Sequence, residues 1–242
     1  MTRRPSAGSG ARDSATRRSY AARPVATQAQ PLLPRALVRV SRRAQRGLWG
    51  LRLARLYGIG VGISYALLAF GLASDPKLAT SLWTRCLTTA SWVAGLGALS
   101  LARDLVARDE AQGITSLARL RGFGDQALER ARTLSGAVTL FGAVAAPGLL
   151  VALAALLRFR TVPGALSALS LALMTLPYAA LLGGVLTVLA RLCSRLLPER
   201  GRWLLLALVL GPWLLARGTG SALPSIPGAF AWLLDHLAGT LP

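Results

Sequence analysis

The chain has 242 residues, of which 53% are hydrophobic and only 15% charged, where an ordinary soluble domain carries roughly a quarter charged. Its 28 Lys+Arg against 9 Asp+Glu give a formal net charge of +19, and the charges lie between long apolar runs rather than inside them. This excludes a disordered basic tail protein and, with two cysteines, a disulfide scaffold; it predicts an all-α polytopic membrane protein with five to six transmembrane helices.

Residues 1–34 are rich in Arg, Ser, Ala and Pro and hold a single acid, Asp13. They read as a disordered basic cytoplasmic tail, and the same composition resembles an organellar transit peptide. No recognition motif accompanies the charge, so no nucleic-acid partner is expected. Over residues 35–55 the pattern changes. Leu37, Val40, Ala44, Leu48 and Leu51 recur at three- and four-residue steps, opposite Arg35, Arg39, Arg42, Arg43 and Arg46. A basic amphipathic helix of this kind, with Trp49 near its end, suits the membrane interface. There its arginines meet anionic headgroups, which makes membrane lipids an expected partner.

The transmembrane domain then occupies residues 56–242, with spans expected at about 56–73, 81–101, 134–157, 165–190 and 203–216. Gly58 and Gly62, four apart in the first span, allow another helix of the chain to approach closely. Trp83, early in the second, is expected in the interfacial aromatic belt. Pro147-Gly148 is a kink point in the third, the fourth contains Pro177 and the Gly183-Gly184 pair, and Gly211-Pro212 interrupts the fifth. The fifth run is short of the roughly 20 residues a span needs. Residues 227–241 form either a short sixth span or an interfacial helix, and Asp235 in their middle favours the second. The positive-inside bias puts the N-terminus in the cytoplasm with the 102–133 loop and the 191–202 connector. Lys77, Arg85, Arg158, Arg160 and Arg217 are left outside.

Several chemistries are missing. There is no G-x-x-x-x-G-K-[ST], and the sole lysine, Lys77, belongs to an external turn. His236, Cys86 and Cys193 do not make a metal site, and the two cysteines are expected near opposite membrane faces, out of bonding range. The first, third and fourth spans hold no acid, which argues against ion-coupled transport. No nucleophile–base set occurs, so the chain is not expected to be an enzyme by itself, and no catalytic, cofactor-binding or metal residue is predicted. Energy for moving a substrate would come from another polypeptide.

The 102–133 loop is the most charged internal segment. Gly113, Gly122 and Gly124 divide it into short helical pieces. Ile114, Leu117 and Leu120 fall at three-residue steps, a small apolar ridge with Arg119 and Arg121 beside it, of the kind that docks in a groove on a partner. Glu110, then Gly113, Leu117 and Leu120, a break at Arg121-Gly122, and Arg132 before Leu134 complete the pattern. In that order these residues resemble the cytoplasmic loop between the second and third spans of ABC type-2 exporter permeases. The 35–55 helix is similar to that family's elbow helix. The resemblance implies the membrane subunit of an ATP-driven exporter in a bacterial cytoplasmic (inner) membrane. Such permeases work as homodimers or heterodimers with separate ABC ATPase subunits. Mg-ATP would sit on the ATPase, with no cofactor in this chain. Glu110, Gly113, Ile114, Leu117, Leu120 and Arg121 would form the ATPase-docking loop, and Arg39, Arg42, Arg43, Arg46 and Trp49 the interfacial helix. A reading of another class stays open: a non-transporting scaffold or assembly factor that recruits partners through its tail and loop.

Overall fold

A computed structural model describes residues 35–46, 48–72, 75–102, 113–197 and 200–219, together with 229, 230, 232–234 and 236. Among them are helices α1 (Arg35–Arg46), α2 (Trp49–Leu72), α3 (Pro76–Ala98), α4 (Ile114–Leu120), α5 (Asp125–Arg158), α6 (Val162–Leu196) and α7 (Gly201–Thr219), and no strand. Three of these, α2, α5 and α6, are long and apolar enough to cross a membrane. The fold is that of an all-helical membrane protein. At 23 residues α3 has the length, but Thr80, Ser81, Thr84, Arg85, Thr88 and Thr89 dilute its apolarity. In α7 the apolar stretch is only Gly201–Pro212.

Within a bilayer, lipid tails are as apolar as leucine, so helices associate through close packing of small residues rather than through exclusion of water. The bundle follows that rule with α5 at its centre, in contact with α1, α2, α3, α4 and α6. A Cβ added at Gly58 of α2 would lie 3.0 Å from the Ala143 carbonyl oxygen, and one at Gly62 would lie 2.7 Å from Pro147 Cα. Both numbers rise together, so α2 and α5 run in the same direction. Gly183 of α6 packs equally tightly on Phe141 and Ala137, and Gly148 of α5 on Leu87 and Thr175. The starts of α2 and α5 and the ends of α3 and α6 therefore share one end of the bundle. Gly201, which opens α7, joins them there, against the Ala102 and Cys193 carbonyls. Arg52, Arg55, Arg191, Arg195 and Arg202 lie near this basic end.

Pro147 and Pro177 do not break their helices: α5 continues for 34 residues and α6 for 35. Asp75 caps α3, its Oδ1 accepting from the Lys77 amide at 3.1 Å, with Pro76 at the first helical position where the missing N–H costs nothing.

Trp83 is not in an aromatic belt. It is fully buried, and its Nε1 donates to Thr175 Oγ1 at 2.9 Å. Two turns on, Ser91 Oγ and Tyr178 OH lie 2.7 Å apart, and Tyr178 meets Phe230 edge-on at 5.8 Å. These two hydrogen bonds join α3 to α6 and explain the correction: an indole N–H away from water needs a polar partner, and a threonine on the facing helix supplies it. Cys86 and Cys193 are both buried and free.

Candidate partner-docking site

The sequence treats the 35–55 segment and the 102–133 loop as separate features. At the basic end the structure joins them. Leu37 of α1, Ala118 of α4 and Leu128 and Ala131 of α5 form a small apolar cluster of their own, flanked by Val38, Ile114, Phe123 and Ala127. Leu37, Ser41 and Gln45 recur every four residues and are buried, and Gln45 Nε2 donates to the Arg132 carbonyl of α5 at 2.9 Å. The inner face of α1 thus rests on protein, with Arg39, Val40, Arg42 and Arg43 outward. Helix α1 stops at Arg46 and Trp49 opens α2, so the 35–55 segment is two helices whose junction is sealed by buried Leu48. The indole of Trp49 is 73% exposed, and Trp203, near the start of α7, is likewise exposed with the Arg202 guanidinium 5.6 Å from its ring centre.

Two glycines define α4. Gly113 precedes it at φ 68°, and Gly122 follows it at φ 76°, both in the left-handed region where a Cβ is penalised. At the C-terminal end the Phe123 amide donates to the Ala118 carbonyl at 3.0 Å and the Gly122 amide to that of Arg119 at 2.9 Å. That pair of bonds is a Schellman motif, and Phe123 packs in the same cluster as Ala118, the hydrophobic contact that accompanies it. Arg119 closes the turn with a two-point ion pair to Asp125 at 3.2 Å.

This bracing fixes which way α4 faces. Thr115 and Ala118 point inward, Ile114 is half-buried, and Leu117 and Leu120 are 58% and 84% exposed. Between α1 and α4 runs a groove of about 180 Å³ lined by Leu37, Val40, Ile114, Leu117, Ala118, Arg121 and Phe123. Of the predicted docking residues, the structure assembles Gly113, Ile114, Leu117, Leu120 and Arg121 on one short element. Glu110 lies outside the described residues, as does the side chain of Arg46. Arg121 brings a positive charge to the groove wall, and α1 exposes Arg39, Arg42 and Arg43 on its outer side. Sequence reasoning missed Val40 as a groove wall and Phe123 as its brace. Phe123 was findable, because an apolar residue directly after a helix-ending glycine is the sequence mark of this cap.

No protein-family model, curated protein or solved structure matches this chain.

Proposed function

We propose that the protein is the membrane-spanning permease subunit of an ATP-driven ABC exporter, coupled through α4 to a separate ATPase. The observation that carries this reading is the exposed Leu117–Leu120 ridge, seated on α5 through the Ala118 cluster. A partner seated on that ridge would act on α5, which touches the other long helices α2, α3 and α6. Two further spans, α3 and α7, would complete a five-span domain, and the helical residues near Phe230 would provide the sixth element. In this reading the basic end is cytoplasmic, by the positive-inside bias, in a bacterial inner membrane. The outward arginines of α1 and the exposed Trp49 would lie among headgroups, as an elbow helix does. Two copies, or this chain and a related one, would frame the pathway.

Affinity capture of the full chain from its native membranes is expected to bring down a protein with a Walker A motif. Leu117→Asp places a charge on the ridge. Gly113→Pro demands φ near −65° where the backbone has φ 68°. Each is expected to abolish that association with membrane insertion unchanged. Retained association after both changes would sink the docking assignment. Capture of a partner without nucleotide-binding motifs through the same ridge would favour the scaffold reading instead.

A further inference from the structure

A second groove, on a different face, has no place in the docking scheme. It lies between the first half of α5 and the second half of α6 and encloses about 650 Å³. Its lining changes character along its length. At the mouth stand Gln126, Glu129, Arg130 and Arg195, beyond the apolar runs of their helices. Leu134, Ala137, Gly184 and Val188 line the deep part. Gln126 to Ala137 covers about 16 Å at the rise of an α-helix, so the groove descends from the headgroup level into the hydrocarbon.

The middle of the groove offers no free donor. Thr133 Oγ1 donates to the Glu129 carbonyl at 3.0 Å and Thr187 Oγ1 to that of Gly183 at 2.7 Å. Both hydroxyl protons are used within their own helices. At the deep end, a Cβ built on Gly184 meets nothing within 4 Å, although the adjacent Gly183 packs directly on α5. The Gly183-Gly184 pair thus has two separate roles: one glycine brings the helices together and the other leaves space beside the contact.

The charge at the mouth is also resolved. Glu129 is paired with Arg195, which neutralises both. Arg130 is exposed and makes no hydrogen bond or ion pair with the described residues. The mouth therefore carries one uncompensated positive charge above a slot that turns apolar. A headgroup phosphate, ester linkages and an acyl chain are ordered in the same way.

We infer that this α5–α6 groove is a binding site for one anionic phospholipid, its phosphate on Arg130 and an acyl chain lying over Gly184. The inference needs only that α5 and α6 cross the bilayer and does not rest on the permease reading. Glu129 sets the selectivity: while it holds Arg195, a single arginine faces the headgroup, and without it two would.

The test uses the full chain purified in mild detergent, delipidated, and offered equimolar phosphatidylglycerol and phosphatidylcholine. Native mass spectrometry reads the adduct that survives the highest activation energy. Phosphatidylglycerol is expected to exceed phosphatidylcholine in that adduct by about fivefold, the worth of one arginine at an anionic lipid surface. Arg130→Gln should remove that preference, Glu129→Gln should increase it, and Gly184→Leu should eliminate the adduct by filling the slot. Arg130 is exposed and Gly184 faces open space, so both variants should keep the wild-type melting temperature. An unchanged lipid ratio in Arg130→Gln, or an adduct that survives Gly184→Leu, would overturn the proposal. So would displacement of the lipid by inorganic phosphate, which would mean an anion site without the acyl slot. Loss of a protein dimer rather than of lipid in Gly184→Leu would assign the groove to a second copy and equally overturn it.

Discussion

Gly58 of α2 faces the carbonyl of Ala143 in α5, the carbonyl whose usual donor four residues on is replaced by Pro147. A proline inside a helix removes one hydrogen bond, and in a membrane the freed oxygen has no water to turn to. Here a glycine of the neighbouring helix lies against it, where an added Cβ would stand only 3.0 Å from the oxygen. One turn later Gly62 meets Pro147 itself, and any Cβ there would collide with backbone. Gly58 and Gly62 thus let α2 close on α5 where α5 is least regular.

Gly62→Leu is therefore expected to destabilise the protein by about 1–3 kcal/mol, the usual cost of overpacking. Gly60→Leu, two residues away with nothing within 4 Å of its Cβ position, should leave stability nearly unchanged. Melting curves of the two variants in the same detergent check this contrast, and an equal loss in both would refute the packing account.

Thr175→Val preserves shape but removes the acceptor of the Trp83 indole. A double-mutant cycle pairing it with Trp83→Phe should give a coupling energy of about 0.6–1.7 kcal/mol, the range found for buried hydrogen bonds between membrane helices. Zero coupling would mean that the 2.9 Å bond adds nothing to the fold.

On α4, stability and recognition should separate by residue. Ala118 is buried in the cluster with Leu37 and Leu128, so Ala118→Asp is expected to lower the melting temperature and loosen α1. Leu120, 84% exposed, should tolerate Asp with no change in melting but with loss of partner capture. Similar melting losses at both positions would show that the ridge is structural.

Gly122→Ala should cost about 1–2 kcal/mol of local stability, because φ 76° places a Cβ against the following carbonyl. Hydrogen exchange should report the loss as faster opening of the Phe123 and Gly122 amides, with α6 unaffected. Uniform protection across the bundle would contradict it.

Both native cysteines are buried, so a membrane-impermeant maleimide should not label the folded wild-type chain. Single cysteines placed at Lys77 and at Arg202, both exposed, then map the two ends. With the basic end cytoplasmic, Lys77→Cys should label in intact cells and Arg202→Cys only after permeabilisation. The reverse result would invert the proposed topology.

The sequence showed the helical class and the three long apolar helices, because continuous apolar runs specify α2, α5 and α6 without tertiary context. It also marked Gly113 and Gly122 as the limits of a short helix, since few other residues accept a positive φ. The meeting of α1 and α4 on α5 was hidden. Leu37 and Ala118 are far apart in the chain, and the leucine spacing of residues 35–55 fits an acyl-chain surface as well as a protein one. Trp83 was misplaced for a related reason: its partner, Thr175, lies on a different helix. The early start of α5 at Asp125 left a readable trace, because Leu128, Ala131, Arg132 and Ser135 already follow helical spacing and are all buried. The charges around them concealed it by making the segment look like a loop.

The length of α5 has a mechanical consequence. Its 34 residues make a rod of about 51 Å, against a hydrocarbon layer of about 30 Å. Gly62 clamps that rod at Pro147, with about 33 Å of helix on the α4 side and about 17 Å beyond. Such a geometry is a lever with unequal arms. Were α5 to tilt about that fulcrum, a displacement at the leucine ridge would reach the far mouth of the bundle reversed in direction and reduced to about half.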